Sequence, residues 1–538
     1  MEELNKKFPQ DRDIPPECLP EERISQTEYL INGEIRYWEG PFQEVLSPVC
    51  VQTMQGIEQK NIGSYPLLTE AESREALQAA LGAYNNGIGA WPTMSVSERI
   101  EHMEEFVRRM KQQRQKVVNL LMWEIAKSYQ DSAKEFDRTV DYILDTIEAV
   151  KDLDRKSSRF NIEQGIIGQI KRAPLGVVLC MGPYNYPLNE TFTTMIPALI
   201  MGNPVIFKPP RLGVLVHRPL LEAFRDCFPP GVVNTVYGHG EVVVTPLMES
   251  GDVSVLAFIG SSEVASILKK RHPRPHRLKT CLGLEAKNPA IVLPDADLDV
   301  AVDECVLGSL SYNGQRCTAL KMLFVHYKIM DQFLERFAKR VSDLKIGMPW
   351  EEHVSITPLP DLEKISYLHG LVEDARQQGS QVINSGGGES YGTLFVPAIL
   401  SPVDNHMRVY HEEQFGPVIP VTSFADIETP IRYILDSKYG QQVSIFGTDP
   451  QKIAELIDPL VNQVCRVNIN SQCQRGPDVF PFTGRKDSAE LTLSVTDALR
   501  VFSIRTMVAA KNIDINQDLI TKIVREHKSN FLSTDFIF

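Results

Sequence analysis

Cys317 stands in the run Tyr312-Asn313-Gly314-Gln315-Arg316-Cys317-Thr318-Ala319, behind a glycine turn and beside an arginine. A thiol near fixed positive charge can have its pKa lowered, and the resulting thiolate is a nucleophile for carbonyl carbon. Three other stretches offer groups that such a nucleophile could use. Asn185, in Gly182-Pro183-Tyr184-Asn185-Tyr186-Pro187, follows an apolar strand and carries an amide donor suited to an oxyanion. Lys208 and Arg211, in Phe207-Lys208-Pro209-Pro210-Arg211, end another strand. A lysine there can bond ribose hydroxyls, and the forked donors of an arginine suit a 2′-phosphate. Gly260 and Ser261 open a strand–glycine–helix junction over 258–265, where backbone N–H groups could hold a pyrophosphate. The generic GxGxxG fingerprint is absent.

These groups need elements to position them. From Ala173 the chain alternates short apolar runs with helical stretches, the pattern of a parallel α/β sheet of nucleotide-binding type. The runs fall at 176–180, 204–207, 233–237, 254–258 and 289–293. Cys317 itself lies between a helix expected over 298–310 and the strand Met322-Leu323-Phe324-Val325-His326. The alternation resumes near 417–422 and 442–447 as a second lobe with no visible repeat. Upstream, residues 1–65 read as extended segments wrapping a domain, with Glu28-Tyr29-Leu30-Ile31 and Glu44-Val45-Leu46 as candidate strands. Ser95-Val96-Ser97-Glu98 fits a capping box before a helix that buries Ile100, Met103, Phe106, Val107 and Met110. A second helix over 131–152 carries Arg138 and buries Phe136, Val140, Ile143 and Ile147. The tail 512–538 holds an amphipathic helix around Leu519, Ile520, Ile523 and Val524. Its aromatic end, Phe531, Phe536 and Phe538, is expected to dock on a neighbouring surface.

Composition narrows the functional classes. A chain of 538 residues requires more than one lobe. A net charge of −13 argues against nucleic acid or an anionic membrane as the main partner. Nine cysteines without CxxC or Cys/His spacing argue against a metal site and a disulfide scaffold, and suit a reducing compartment. The start, Met1-Glu2-Glu3-Leu4-Asn5, lacks the features of a signal peptide, and no apolar run approaches the roughly 18 residues of a membrane span. The expectation is a cytoplasmic enzyme.

Taken in order, these stretches resemble the aldehyde dehydrogenase superfamily over about residues 30–510. Gly314-Gln315-Arg316-Cys317 and Glu412-Glu413-Gln414-Phe415-Gly416-Pro417 carry the resemblance. It implies an α/β fold in three parts: a Rossmann-like cofactor domain (1–155 and 174–283), an α/β catalytic domain (284–495) and a β-hairpin oligomerisation arm (156–173 with 496–511). It further implies a homodimer or homotetramer, Cys317 as nucleophile, and an oxyanion hole from Asn185 and the Cys317 backbone N–H. Lys208 becomes a cofactor ligand, Glu413 holds the nicotinamide ribose, and Phe415 packs nearby. Many NAD-preferring members carry glutamate where Arg211 stands, so NADP is expected, with NAD as the alternative. Among branches, the chain looks closest to the non-phosphorylating glyceraldehyde-3-phosphate dehydrogenases, whose substrate-phosphate residues match Arg138, Tyr186, Arg316 and Arg475. Another small phosphorylated or anionic aldehyde is the runner-up substrate.

One departure stands against these matches. The family carries Glu-Leu-Gly-Gly-Lys, whose glutamate activates the deacylating water. Aligned on Lys287, that glutamate becomes Gly283, and Glu285 falls on a glycine. Three accounts follow: Glu285 reaches the site by another path, Glu413 serves as base, or hydrolysis is weak. In the last case the acyl group passes to another acceptor, or the protein mainly binds its ligands.

Overall fold

The alternation that begins at Ala173 folds into two successive parallel sheets. The protein is described here from a computed structural model covering residues 6–19 and 23–535. The start Met1-Glu2-Glu3-Leu4-Asn5 and the aromatic residues Phe536 and Phe538 lie outside the described residues.

Upstream of the sheets, Glu28–Ile31 is a strand, while Phe42–Thr53 and Gly56–Pro66 pair as a long hairpin. Helix α1, Val96–Gln112, starts with the expected capping box. Glu98 N–H donates to Ser95 Oγ at 3.3 Å, and Ser95 N–H donates to Glu98 Oε2 at 3.0 Å. Helix α2, Tyr129–Ser157, buries the four apolar residues read from its period. It runs past the expected end near Asp152, so the arm segment begins helical. Strands β1, Phe160–Glu163, and β2, Ile166–Pro174, then form the arm hairpin.

The first sheet contains β3 (Val177–Met181), β4 (Val205–Lys208), β5 (Val233–Thr235), β6 (Val253–Ile259) and β7 (Lys279–Gly283). Helix α3, Asn189–Ile200, follows β3, and α4, Ser262–Arg271, follows β6. The order is β5-β4-β3-β6-β7, with the antiparallel strand Ala489–Glu490 on the last edge. β3 through its first four residues and α3 throughout are buried, because both faces of a parallel sheet are covered. β7 is absent from the strands read in sequence. Its polar Lys279-Thr280 start and terminal Gly283 leave too short an apolar run.

The second sheet contains β8 (Asn288–Val292), β9 (Leu320–His326), β10 (Ala398–Ser401), β11 (Val418–Phe424), β12 (Gln442–Phe446) and β13 (Arg466–Ile469). Helix α5, Leu298–Leu310, precedes the cysteine loop, and α6, Leu362–Gln377, precedes β10. The order is β10-β11-β9-β8-β12-β13, all parallel, with Gln381–Val382 antiparallel on the outer edge. The arm is completed by β14, Ser503–Lys511, which pairs with β2 after the helix Val495–Val501. That helix takes up the start of the 496–511 segment expected in the arm. Helix α7, Asp514–Arg525, has no buried residue. After it Leu532 is buried and Ser533 O accepts from Gln169 Nε2 at 2.6 Å. Among the described residues no helix is long and apolar enough to cross a membrane.

Both strand orders reverse in the middle, between β3 and β6 and between β8 and β12. Crevices form at such points, at the carboxyl ends of the strands. Only residues 284–287 separate the carboxyl end of β7 from the amino end of β8. The first sheet's crevice therefore opens onto the second sheet's amino edge, where Cys317 and Glu413 precede β9 and β11.

Candidate active site

The cysteine loop is shaped by three successive residues with left-handed backbone, Tyr312, Asn313 and Gly314, at φ of 48°, 56° and 71°. A Cβ on Gly314 would lie 2.7 Å from Ser309 O and 2.9 Å from Gly416 O, both backbone atoms, so no side chain fits there. Asn313 is held on both sides of its amide, giving Nδ2–H to Thr357 O and taking Thr357 N–H, each at 3.0 Å. The Cys317 carbonyl accepts from Asn288 Nδ2 at 2.8 Å and from Lys321 Nζ at 3.1 Å.

Asn185 is brought to this loop from the end of β3. Its Nδ2 donates to Gln315 O at 2.7 Å, leaving a second N–H on the same amide. Its own carbonyl accepts from Lys127 Nζ at 2.7 Å. Lys127 is fully buried and paired with Glu135, whose other oxygen takes the N–H groups of Leu188 and Asn189 at 3.1 Å each. A buried ion pair thus fixes the turn that carries Asn185 and Tyr186. Lys127 Nζ also lies 3.6 Å from the Tyr186 ring centroid.

The environment of Cys317 corrects one sequence expectation. Burial pushes its thiol above the ordinary cysteine value, and the Glu190 carboxylate adds to that; Lys321 and Arg475 pull the other way. Arg316, its neighbour in sequence, points elsewhere, donating Nη2 to Cys473 O at 3.2 Å and to Gln472 Oε1 at 3.3 Å. The uncharged thiol is the favoured form.

Cys317 lines a cavity of about 1450 Å³ that also includes Asn185, Tyr186, Arg211, Gly260, Ser261, Glu285, Glu413 and Phe415. At one end, Ser261 caps α4, accepting Val264 N–H at 3.3 Å, and a Cβ on Gly260 would strike the Phe258 ring at 2.4 Å. Lys208 ends β4 and is not among the residues that line the cavity; burial lowers its pKa to about 8, and among the described residues its Nζ donates only to Pro209 O, at 3.1 Å. Arg211 is 68% exposed at the cavity rim, 3.7 Å from Asp361. Glu413 is pinned by Lys321 and by Ala286 N–H at 3.1 Å. Phe415 has φ of 43°, an unfavourable backbone for a bulky residue. Its ring centroid lies 5.9 Å from that of Tyr184. Volume, basic groups and a helix N-terminus suit a dinucleotide. Among the described residues no group of three or more His, Cys, Asp or Glu could hold a metal ion.

At the other end, Arg138 grips Asp478 with both Nε and Nη2, at 2.9 and 2.7 Å. Asp478 also accepts from Arg475 Nε at 3.1 Å, and Arg475 Nη1 pairs with Glu190. Arg475 Nη2 and Arg316 Nε are buried donors without a hydrogen-bond partner among the described residues. Arg138, Arg475, Arg316 and Tyr186 all line the one cavity.

Glu285, which the sequence left free to reach the site by another path, lines the cavity with its carboxylate drawn to the start of α4. Ser262 N–H donates to its Oε2 at 2.9 Å, so the carboxylate caps α4. Gly283, at the end of β7, carries no group at all. Sequence reading missed several residues here. Lys321, a lysine at the start of an otherwise apolar strand, was the detectable one; Lys127, Glu135, Glu190 and Lys364 read as ordinary helix or loop charges. Lys364, in the first turn of α6, is lowered to about 8 by burial and donates to Gln414 O at 2.7 Å.

Comparison with known proteins places this geometry. The aldehyde dehydrogenase family model matches residues 47–506. The NADP-dependent glyceraldehyde-3-phosphate dehydrogenase of Streptococcus equinus is 34% identical over 84% of this chain and 93% of its own length. The enzyme of that name from Nicotiana plumbaginifolia is 30% identical over 89% of this chain and 96% of its own. The crystal structure of NADP-dependent glyceraldehyde-3-phosphate dehydrogenase from Bacillus halodurans C-125, complexed with NADP, superposes with a TM-score of 0.82. It is 30% identical and covers 90% of this chain and 99% of that one. With a match this long over both sheets and the cysteine loop, the chain belongs to the aldehyde dehydrogenase family.

Proposed function

We propose that this protein oxidises glyceraldehyde 3-phosphate to 3-phosphoglycerate with NADP, through a thiohemiacetal and then a thioester on Cys317. The observation that carries the reading is the set of Arg138, Arg475, Arg316 and Tyr186 in the cavity of Cys317, two of its guanidinium groups keeping a buried, unused donor. Guanidinium matches phosphate in shape and charge. The names of the relatives point the same way.

In this scheme the Cys317 sulfur adds to the aldehyde carbon after losing its proton. The oxygen, now negative, is met by the free N–H of Asn185 Nδ2 and by the Cys317 backbone N–H. NADP, when bound, would supply the acceptor for the hydride of the tetrahedral carbon. Lys208, Arg211, the start of α4 and Glu413 would hold it, with the rim arginine favouring a 2′-phosphate. Water then cleaves the thioester, restoring the thiol and releasing the acid. That last step lacks a positioned base, since Gly283 has no side chain, Glu285 caps α4 and Glu413 is tied to Lys321. General-base help is worth about 10² to 10⁴ in rate, so slow acyl release is the expected signature.

Rapid mixing of protein, NADP and glyceraldehyde 3-phosphate tests this. A burst near one NADPH per site followed by slow turnover is expected; no burst with this aldehyde overturns the substrate. Fast linear turnover would overturn the slow acyl release, and its loss in Glu285→Gln would make Glu285 the base. The open edge of β1 and the exposed apolar residues of the arm support a homodimer or homotetramer.

A further inference from the structure

The buried acid at the substrate end has no part in the scheme above. Glu190 lies in the first turn of α3, and its side chain is 12% exposed in the Cys317 cavity. Its carboxylate pairs with Arg475, itself 6% exposed, and Arg475 shares Asp478 with Arg138. Two guanidinium cations thus face two carboxylates, and their charges cancel. Arg316, bonded only to the neutral Gln472 side chain and the Cys473 carbonyl, is the member of the set with no carboxylate partner among the described residues. Arg475 Nη2 and Arg316 Nε have no hydrogen-bond partner among the described residues, and both side chains line the cavity. A phosphate that takes Arg475 Nη2 comes up against Glu190 on the same guanidinium, and like charges at that range repel.

We propose that Glu190 is a specificity-determining residue: it holds Arg475 against its own carboxylate, so a phosphate group binds the substrate end only in competition with it. The inference rests on reading that end as the seat of the substrate phosphate. It makes the preference for phosphorylated over uncharged aldehydes smaller than three arginines alone would give.

The test compares the full-length protein with Glu190→Gln, which keeps size and an acceptor for Arg475 but loses the charge. Inorganic phosphate is titrated as a protectant of Cys317 against iodoacetamide, each protein scaled to its own unprotected rate and labelling followed by mass spectrometry. The half-protecting phosphate concentration should fall on the order of ten-fold in Glu190→Gln. The KM for glyceraldehyde 3-phosphate should fall with it, while that for unphosphorylated glyceraldehyde moves less than about two-fold. Equal half-protecting concentrations, a higher one in the variant, or no protection of either protein overturns the proposal. Should Glu190→Gln fail to fold, Glu190→Met removes the charge at similar volume and is read in the same way. Protection is an equilibrium measurement. A wild-type protein that gives no NADPH with glyceraldehyde 3-phosphate therefore sinks the proposed function, and the phosphate titration still decides the role of Glu190.

Discussion

At Cys317, burial competes with charge to set how the thiol reacts. Desolvation and Glu190 raise its pKa, while Lys321 and Arg475 only partly offset them. Alkylation of Cys317 in the ligand-free protein should therefore climb with pH to a midpoint above that of an exposed cysteine, and Lys321→Met should move the midpoint higher still; a midpoint below the ordinary value would contradict this. Lys208 gives a second pH signature. With its pKa lowered to about 8, it loses its charge as pH rises through that value, and an anionic cofactor should bind more weakly above it. Calorimetric titration of NADP against pH reads the inflection. Lys208→Arg should shrink it without abolishing it, because Lys364 is also lowered to about 8. At Gly283 the missing group can be restored. A Cβ there meets the flexible Ile259 side chain at 3.3 Å, and the backbone is not left-handed. Gly283→Glu should raise steady-state turnover by about 10²-fold while leaving the burst rate near that of the wild type.

At the scale of elements, the turn after β3 depends on the pair formed by Lys127 and Glu135, both fully buried. Removing one partner leaves a buried charge uncompensated, so Glu135→Ala should cost about 3–5 kcal/mol in urea unfolding. The double variant Lys127→Met with Glu135→Met should recover part of that stability. It should still slow the burst, since Asn185 O loses its donor and the N–H groups of Leu188 and Asn189 lose their acceptor. The capping box of α1 was legible in sequence because its two residues lie three apart and each side chain bonds the other's backbone N–H. The Lys127–Glu135 pair was not. Its partners on the Asn185 loop lie more than 50 positions away, and no local spacing announces them.

The whole molecule presents an arm whose apolar residues face outward. Ile162 is 58% exposed, Ile504 50% and Met507 56%, on a three-stranded sheet with a free edge. Patches of this kind on a sheet edge are commonly buried by another copy. Ile504→Glu with Met507→Glu should reduce the proposed homodimer or homotetramer to monomers in light scattering, with the folding of the two main lobes kept.

The sequence by itself determined the alternation of strands and helices, the two-lobed division and the loop that carries Cys317. Strands covered on both faces must be apolar throughout, and a turn such as that at Asn313-Gly314 needs residues that tolerate left-handed backbone. β7 escaped because its polar start and terminal glycine leave little of that signal. Only the tertiary structure decided which charges meet. Glu190 and Arg475 pair across 285 positions, Glu285 turns onto the start of α4, and Arg316 leaves the cysteine beside it. Charged side chains carry no period of their own, so packing chooses their partners, and with them the charge that a substrate encounters.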